Sequence, residues 1–451
     1  MKSLAVIGGG PAGIAAAKEA KNNGIDRVVI FERNEYLGGV LPQCIHDGFG
    51  LHYYKENLTG PEYANRNIEE LKKLDIEIYT DCTVLNILEK NNGYELEYCG
   101  LNLGSKSIYF DSIIFAMGCR ERNRGHLRIP GTRPAGIFTA GSAQYMMNIQ
   151  NYKLGKNAVI LGSGDVGLIM ARRLTLEGTK VKLILGEVAT GLKRNVVQCV
   201  KDFDIPLLYG YTIVNIHGYK RLKGVTILNK KNNQTKYIPC DTLLIAAGLV
   251  SENELARNLG VNLNNWGGII IDKNNMTNKK GVFACGNVVE IYDLADNVSY
   301  AGKSAGRNAA DYLFNREFSN KNSQKRKFEN RESTLKSDMV CILCPKSCEL
   351  IIDKSNENIK ISGNKCKKGE NYALEEMINP KRVVTSTVKI NSHIPLLPVR
   401  TDKAVSKSEI FKIVKEIKKI NIEAPIKIGT IIKENICNTG ANLISTETRL
   451  D

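Results

Sequence analysis

The chain of 451 residues lacks several features that would place it in a membrane, in a secretory pathway or on nucleic acid. It has no uninterrupted apolar run near the roughly 18 to 20 residues that a bilayer span needs. Met1-Lys2-Ser3 leads directly into an apolar stretch, so we expect no charged-then-apolar leader. The net charge of +16 is spread mainly as lysine, without a basic stripe interleaved with aromatic residues, which argues against nucleic-acid binding. We therefore expect a soluble, cytoplasmic protein that acts on a small-molecule substrate.

One basic segment is set apart from the rest of the chain. Residues 316–336 hold Lys325-Arg326-Lys327 among Asn, Ser, Gln and Glu. That composition is typical of an exposed segment rather than of a packed core. We expect residues 317–337 to form a basic linker between two folded parts.

The first glycine-rich motif, Gly8-Gly9-Gly10-Pro11-Ala12-Gly13, follows an apolar strand and precedes an alanine-rich helix. In such a motif the first glycine allows a tight turn, the second lets the backbone approach a pyrophosphate, and the third permits close packing of helix on strand. Pro11 suits the first helical turn, where its missing N–H costs nothing. Glu32, followed by Arg33, ends the next strand 19 positions after Gly13 and is placed to bind a ribose. The motif therefore predicts a dinucleotide site.

A second motif repeats this design. Ala158-Val159-Ile160-Leu161 leads to Gly162-Ser163-Gly164-Asp165-Val166-Gly167, then to a helix and a strand that ends near Glu187. An acid there favours NAD over NADP, because a carboxylate repels a 2′-phosphate. Gly186, however, has the spacing that Glu32 has in the first motif, and Lys193-Arg194 follow shortly afterwards.

Later glycines complete a recognisable order of elements. Two strands end at Gly118 and Gly248, and Gly286-Asn287 follow a third. This order resembles the pyridine nucleotide-disulfide oxidoreductase superfamily in its thioredoxin reductase-like form. The resemblance implies an α/β fold with two nested Rossmann-like domains, one binding FAD at the first motif and the other NAD(P)H at the second. It also implies that Gly118, Gly286 and Asn287, which replaces the usual Asp, lie near the flavin, as does the start of a helix from Tyr300 to about Leu313.

The chain lacks the cysteine pair that disulfide reductases of this superfamily use. Where a C-x4-C pair would follow Leu37-Gly38-Gly39, only Cys44 is present, and no C-x-x-C precedes the second motif. We therefore expect no redox-active disulfide. Cys44 and His46 would share one face of an extended segment, which suits tuning of the flavin or proton transfer. The alternative is that His46 caps a turn and Cys44 packs as a small apolar residue.

Several sequence motifs narrow the resemblance to one group within the superfamily. Gln43-Cys44-Ile45-His46, Leu58-Thr59-Gly60-Pro61-Glu62-Tyr63 and Gly118-Cys119-Arg120-Glu121-Arg122 look like the FAD-dependent oxidoreductases that accompany glycerol-3-phosphate dehydrogenase-like flavoproteins of anaerobic bacteria. This resemblance spans about residues 1 to 315. It implies a companion flavoprotein dehydrogenase subunit as partner.

Four cysteines near the C-terminus form the cysteine quartet: Cys341, Cys344 and Cys348, spaced C-x2-C-x3-C, and Cys366. Clustered thiols in a reducing compartment more often hold metal than form disulfides. Three close cysteines and a distant fourth favour a 4Fe–4S cluster, and structural zinc, which more often uses two separated pairs, is the alternative. Over a short stretch the pattern resembles the 4Fe–4S module of molybdopterin oxidoreductases.

The residues beyond the quartet predict a folded unit. Ser406-Lys407-Ser408-Glu409 predicts a capping box before a helix with one apolar stripe. The run from Ala424 to Ile432 predicts a short strand pair.

These features predict an FAD-binding domain at residues 1–120 and 275–316, an NAD(P)H-binding domain at 150–255, and a small α+β four-cysteine domain at 338–451. The leading hypothesis is an oxidoreductase that moves electrons between NAD(H), FAD, a 4Fe–4S cluster and the partner dehydrogenase. One alternative is direct dehydrogenation of a small amine or hydroxy acid, since the α-type subunits of opine and hydroxyproline dehydrogenases are related in sequence. Another is a non-catalytic scaffold subunit with structural zinc.

Overall fold

The structure is a computed structural model that describes residues 1–101, 103–318, 338–353 and 359–450. Nearly all of the predicted linker, residues 319–337, lies outside the described residues. The described residues divide into two compact units. The first unit comprises Met1–Arg120 and 249–318, and the second comprises Glu121–Gly248 and the described residues from 338 onward.

Helices and strands are interspersed along the described residues. The α-helices are α1 (Pro11–Asn22), α2 (Gly60–Leu71), α3 (Ala140–Asn148), α4 (Asp165–Leu176), α5 (Lys193–Cys199), α6 (Glu254–Asn258), α7 (Ala295–Leu313), α8 (Lys367–Ile378) and α9 (Ile410–Ile417). The strands up to residue 251 are β1 (Ser3–Ile7), β2 (Arg27–Phe31), β3 (Asp47–Phe49), β4 (Leu58–Thr59), β5 (Glu77–Tyr79), β6 (Cys82–Lys90), β7 (Gly93–Gly100), β8 (Gly104–Phe110), β9 (Ser112–Phe115), β10 (Cys119–Glu121), β11 (Ile137–Thr139), β12 (Asn157–Leu161), β13 (Lys180–Gly186), β14 (Leu207–Tyr209), β15 (Tyr211–Gly218), β16 (Leu222–Asn229), β17 (Thr235–Pro239), β18 (Thr242–Ile245) and β19 (Leu249–Ser251). The later strands are β20 (Val282–Ala284), β21 (Met339–Val340), β22 (Glu349–Asp353), β23 (Lys360–Ser362), β24 (Lys381–Arg382), β25 (Thr385–Asn391), β26 (Leu396–Thr401), β27 (Val405–Ser406), β28 (Asn421–Glu423), β29 (Ile431–Lys433) and β30 (Leu443–Ser445).

A parallel five-stranded sheet forms the centre of the first unit. Its strand order is β20-β9-β1-β2-β5, and β1 pairs with β2 from Ser3 opposite Arg27. The central strands are continuous apolar runs, which suits a sheet covered on both faces. One face is packed by α1 and α7, which approach so closely that a methyl group at Gly302 would overlap the carbonyl oxygen of Ala12. The antiparallel strands β6-β7-β8 form a separate small sheet.

Helix α7 begins earlier than the sequence predicted. It starts at Ala295, five residues before Tyr300, and ends as predicted at Leu313. Tyr300 therefore lies inside the helix, and the prediction that the helix begins there is wrong. Asp296 lies in the first turn, where the helix dipole stabilises its carboxylate, and backbone N–H groups of Gly50, His52 and Tyr53 hold it there.

The second unit contains a parallel five-stranded sheet of its own. Its strand order is β11-β18-β12-β13-β14, and β12 pairs with β13 and β18. Helices α3 and α4 pack in its core, and the antiparallel strands β15-β16-β17 pack on a second core. The predicted α/β class with two Rossmann-like folds and a small C-terminal domain is confirmed by this architecture.

Residues 338–450, the C-terminal module, belong to the second compact unit. Its main sheet has the order β28-β25-β26-β30-β29, and the apolar stripe of α9 packs on it together with Leu176 of α4. The stripe was predicted, but the capping box was not formed: no side chain caps the helix within the described residues, and the Ser406 hydroxyl lies 2.9 Å from that of Ser408. The predicted strand pair is also wrong, because residues 424–432 contain only the beginning of one strand, β29.

A buried ion cluster joins the C-terminal module to the second dinucleotide fold. Arg382 is 2.6 Å from Asp202, which follows α5, and 2.6 Å from Glu376 of α8. Burial alone would lower the pKa of Arg382, but its hydrogen bonds to Glu376 and Asp202 raise that pKa above the ordinary value. Removing one member would leave an uncompensated buried charge.

No helix among the described residues is both long enough and apolar enough to cross a membrane.

Candidate functional site

The first glycine-rich loop, Gly8–Gly13, forms a cradle between β1 and α1. Gly8 has φ +107°, and a methyl group there would lie 2.5 Å from the carbonyl oxygen of Ala116. A methyl group at Gly13 would overlap the carbonyl oxygen of Gly8. These two glycines are therefore required by the fold of the loop itself, as the sequence predicted from their spacing.

Gly10 differs from Gly8 and Gly13, because the space where a side chain would point is open. A methyl group at Gly10 would meet only Gly39 Cα, at 3.8 Å, and its φ of −78° is available to any residue. Gly10 also precedes α1, which no side chain among the described residues caps. A glycine that neither sterics nor backbone conformation demands fits a loop that a pyrophosphate approaches closely. The first cradle therefore fits a dinucleotide such as FAD.

Glu32 lies directly beneath this cradle. It is 5% exposed, and its carboxylate accepts hydrogen bonds from the N–H of Gly9 at 2.7 Å and of Asn34 at 2.9 Å. The carboxylate is thereby held at the edge of the loop where a ribose hydroxyl would donate to it. Arg33, by contrast, is exposed and makes no described contact that would place it at the cradle.

Gly118 is followed by Cys119, which contacts Asn287. Nothing lies within 4 Å of a methyl group built at Gly118, so the space beside it is open. The Asn287 amide donates to Cys119 Sγ at 3.5 Å and accepts from the Tyr292 N–H at 3.1 Å. Gly286, with φ +73°, packs against Ala12 of the first cradle. The structure thus brings Gly286 close to the first motif, and its place beside the flavin stays a prediction.

Cys44 and His46 follow a short 3-10 helix, Leu41–Gln43. Burial raises the pKa of the Cys44 thiol to about 12. The His46 ring lies 5.0 Å from that of Phe49. A thiol with such a pKa stays protonated at neutral pH, so Cys44 is a poor nucleophile in this state. Its role as a catalytic residue, and that of His46, stay predictions.

Asp296 is a site residue that the sequence did not indicate. This carboxylate is 4% exposed and accepts hydrogen bonds from the backbone N–H groups of Gly50, His52 and Tyr53 at 3.1, 2.8 and 3.3 Å. It fixes the segment after His46 against the first turn of α7. No local signal links residues that are more than 240 positions apart, although an Asp near a helix start marks a candidate anchor.

The second glycine-rich loop, Gly162–Gly167, forms a cradle between β12 and α4. Gly162 has φ +125°, and a methyl group at Gly167 would overlap the carbonyl oxygen of Gly162. Gly164 has an ordinary φ of −74°, and a methyl group there would meet only Thr190 Oγ1, at 3.6 Å. The second cradle therefore repeats the division between structural glycines and one open glycine.

The residues opposite the second cradle differ from those of the first. Gly186, which corresponds in spacing to Glu32, ends β13, and the Ser163 hydroxyl fills the space beside it and donates to the Val188 carbonyl at 2.7 Å. Glu187 is largely exposed and forms an ion pair with Lys230. The acidic residue at the second cradle is therefore Glu187, one position later than the spacing of Glu32 predicts, and its carboxylate faces solvent.

A loop from Glu187 to Leu192, the coenzyme loop, folds back on the second cradle. The Gly191 N–H donates to the Ser163 carbonyl at 3.1 Å, and the Leu192 N–H donates to Asp165 Oδ1 at 2.7 Å. The Asn195 amide also donates to Asp165 Oδ1, at 2.9 Å. Asp165, the first residue of α4, therefore holds α5 beside the cradle. Val166, the next residue, is exposed.

The cysteine quartet lies in one neighbourhood of the C-terminal module. The Cys341 N–H donates to the Cys348 carbonyl at 2.9 Å, and burial, with repulsion from the other three thiols, raises the pKa of Cys341. Cys341 is buried, Cys344 and Cys348 are partly exposed, and Cys366 is exposed. Among the described residues, no three or more His, Cys, Asp or Glu side chains are grouped so that they could hold a metal ion. The four thiols are thus near one another without forming a metal centre.

The turn that carries Cys344 and Cys348 contacts α5. The Arg194 N–H donates to the Ser347 hydroxyl at 3.2 Å, Lys193 pairs with Glu349 at 2.8 Å, and Val197 packs against the cluster of Cys341 and Cys348. Helix α5 therefore lies between the cysteine turn and the second cradle.

Comparison with known proteins agrees with this geometry. Residues 2–302 match the family described as pyridine nucleotide-disulphide oxidoreductase. Residues 367–447 match a family described as a protein of unknown function, DUF1667. That second match begins one residue after Cys366, so it includes no member of the cysteine quartet.

Two curated relatives illustrate the sequence similarity. The NAD(P)H coenzyme A polysulfide/persulfide reductase of Pyrococcus horikoshii is 27% identical over 298 residues, which are 64% of this chain and 63% of the relative. The NADH dehydrogenase of Bacillus subtilis is 28% identical over 317 residues, which are 68% of this chain and 58% of the relative. The chain thus spans less than two thirds of the length of these relatives.

Solved structures share the fold. The thioredoxin reductase of Lactococcus lactis has a TM-score of 0.59 at 20% identity, over 70% of this chain and 100% of its own. An NAD-dependent persulfide reductase from A. fulgidus has a TM-score of 0.54 at 18% identity, over 90% of this chain and 72% of its own.

Proposed function

Because the chain belongs to the pyridine nucleotide-disulphide oxidoreductase family, we propose that it is an FAD-dependent oxidoreductase that takes electrons from a nicotinamide coenzyme, NADH in preference to NADPH. The observation that carries the proposal is the open glycine, Gly10, above the buried carboxylate of Glu32. The second cradle, with its open Gly164 and exposed Glu187, supports an exchangeable coenzyme.

FAD bound at the first cradle would supply a hydride acceptor that can release electrons singly or in pairs. The backbone N–H groups at the start of α1 would hold its pyrophosphate, and Glu32 would accept a ribose hydroxyl. Asp165 orients the coenzyme loop beside the second cradle through Leu192 and Asn195. Cys44 keeps its proton at neutral pH and so packs or donates a hydrogen bond rather than attacking a substrate.

The test is cofactor analysis of the purified full chain, followed by steady-state oxidation of NADH with an artificial acceptor. We expect FAD to be released on denaturation at close to one equivalent per chain, and NADH oxidation to depend on it. A chain that binds no flavin when refolded with excess FAD would contradict the proposal.

We further propose that the cysteine quartet binds a metal, as a 4Fe–4S cluster that passes electrons to a partner dehydrogenase. The C-x2-C-x3-C spacing and the shared neighbourhood of the four thiols support it. Forming the site requires the thiols to move closer together, because no three of them are grouped for metal binding among the described residues. The companion flavoprotein dehydrogenase of glycerol-3-phosphate type is supported by the resemblance of residues 1 to 315.

Anaerobic purification with iron, sulfide and zinc analysis tests the quartet. We expect iron and sulfide in the wild type, their loss in Cys344→Ser, and their retention in Cys437→Ser, which changes a cysteine of the same module outside the quartet. Zinc without iron would replace electron transfer by a structural role. Absence of both metals from the anaerobic protein would remove the metal proposal.

Assays with a panel of small amines and hydroxy acids separate this proposal from direct dehydrogenation. Reduction of the bound flavin by NADH, and not by members of the panel, is expected. A panel substrate that reduces the flavin faster than NADH would favour direct dehydrogenation.

A further inference from the structure

The coenzyme loop is bordered by two lysines. Lys193 follows its last residue and begins α5, while the Nζ of Lys230 pairs with Glu187, its first residue. The loop is tied to the second cradle at both ends, because Ser163 donates to the Val188 carbonyl and Asp165 accepts from the Leu192 N–H. Both lysines therefore lie beside a loop that borders the second cradle, the cradle at which a coenzyme ribose would bind.

Each of these lysines is engaged by a glutamate. Lys193 Nζ lies 2.8 Å from Glu349 Oε1, and the two side chains are 35% and 27% exposed. Lys230 pairs with Glu187 within the second dinucleotide fold. The neighbouring base, Arg194, is only 5% exposed. These three bases are thus neutralised or covered.

NADP differs from NAD by a 2′-phosphate, which binds where free lysine or arginine side chains are available. At this loop the phosphate would meet the carboxylate of Glu187 and two lysines that already have partners. A 2′-hydroxyl, in contrast, needs only an acceptor, which Glu187 provides. The local charges therefore favour NAD.

We infer that Glu349 of the C-terminal module and Glu187 of the coenzyme loop together set the preference for NAD over NADP, by holding Lys193 and Lys230. Glu349 begins β22, immediately after Cys348 and outside the family match of residues 2–302. The C-terminal module thereby contributes a specificity-determining residue to the coenzyme site. The inference rests on the proposed function, since it requires that the second cradle receive a nicotinamide coenzyme.

Calorimetric titration of the full chain with NAD⁺ and NADP⁺ tests it without turnover. Glu349→Gln should bind NADP⁺ about threefold more tightly than the wild type with NAD⁺ unchanged, in keeping with a partly exposed ion pair. Glu187→Gln should bind NADP⁺ more tightly and NAD⁺ more weakly. Lys193→Met placed on Glu349→Gln should abolish the gain, because the released lysine is then absent.

The matched control is Glu409→Gln, which breaks an ion pair with Lys412 at 2.9 Å on α9 of the same module and should leave both affinities unchanged. Equal changes of both affinities in Glu349→Gln would mean that the ion pair only holds α5, and would overturn the inference. A wild type that prefers NADP⁺ would also overturn it. Failure of the wild type to bind either coenzyme would instead remove the proposed function.

Discussion

The two glycine-rich cradles share a backbone and differ in the residues that face them. Both use a left-handed first glycine, a third glycine in contact with the first, and a middle glycine with open space beside it. In the first cradle a buried glutamate hydrogen-bonds to the loop, whereas in the second a glycine takes that position and the acid stands exposed at Glu187. The first loop is thus enclosed, which suits a retained cofactor, and the second is open to solvent, which suits a coenzyme that exchanges.

A second difference lies in what supports each fold. The first unit is packed mainly by its own helices α1 and α7. The second dinucleotide fold shares buried contacts with the C-terminal module through Arg382, Asp202 and Leu176. The two folds are best compared by variants that change one cradle, or one set of supporting contacts, at a time.

The largest effect is expected from Gly10→Ala. The added methyl group meets only Gly39 Cα, at 3.8 Å, so the fold should persist, but the pyrophosphate loses its close approach to the backbone. We expect the FAD content to fall to about a tenth of wild type or less, which corresponds to at least about 1.4 kcal/mol of binding free energy. Flavin quantification and circular dichroism check the two statements. The matched control is Gly164→Ala, the open glycine of the second cradle, which also has an ordinary φ, of −74°, and for which full FAD content is expected.

The next effect concerns the support of the second fold. Arg382→Ala leaves Asp202 and Glu376 without their buried partner, so we expect the free energy of unfolding to fall by about 3–5 kcal/mol. Urea unfolding of the apo chain measures it. Arg27→Ala, which breaks a more exposed pair with Glu77 in the first unit, should cost about 1 kcal/mol or less. Equal decreases in the free energy of unfolding of the two variants would contradict the difference between the supports of the two units.

The third effect is confined to the coenzyme. Gly164→Ala places its methyl group 3.6 Å from Thr190 Oγ1 and should not disturb the apo fold. We expect the dissociation constant for NAD⁺ to rise about tenfold while the FAD content stays at the wild-type value. A loss of FAD in this variant would show that the two cradles do not divide the ligands as proposed.

The smallest effect is the pH dependence of Cys44. Its pKa of about 12 exceeds that of an ordinary thiol, about 8.5, so Cys44 keeps its proton to a higher pH in the folded chain than in the unfolded chain. Its contribution to stability is therefore present below about pH 8.5 and is lost as the pH rises toward 12. Alkylation by iodoacetamide, followed by peptide mapping, should keep rising through pH 10 in the folded chain. A plateau near pH 9 would contradict the burial of this thiol.

Much of the fold was predictable because its signals are local. Strand, glycine turn and helix follow one another within about 30 residues, so the spacing of Gly8–Gly13 and Glu32 predicts the first cradle. The start of α7 was not predictable in this way, since Asp296 is anchored by backbone groups of Gly50, His52 and Tyr53 far away in the chain.

The capping boxes make the same point. The Ser406–Glu409 pattern forms no box, whereas Thr59 and Glu62 of α2 form one, with Thr59 Oγ1 accepting from the Glu62 N–H at 3.4 Å. The sequence pattern alone does not determine whether a capping box forms, because tertiary contacts fix the backbone conformation. The pairing of Lys193 with Glu349 was likewise beyond the sequence, because it joins residues that are distant in the chain.

The central claim is that the first cradle retains FAD and the second delivers reducing equivalents from NADH. Anaerobic titration of the purified chain with NADH, followed through the visible absorption of the bound flavin, tests it most directly. We expect complete bleaching at about one NADH per FAD, and we expect Gly164→Ala to require a severalfold higher NADH concentration for the same bleaching. Flavin that is bound at full content and stays oxidised in excess NADH and NADPH would contradict this division of roles between the two cradles.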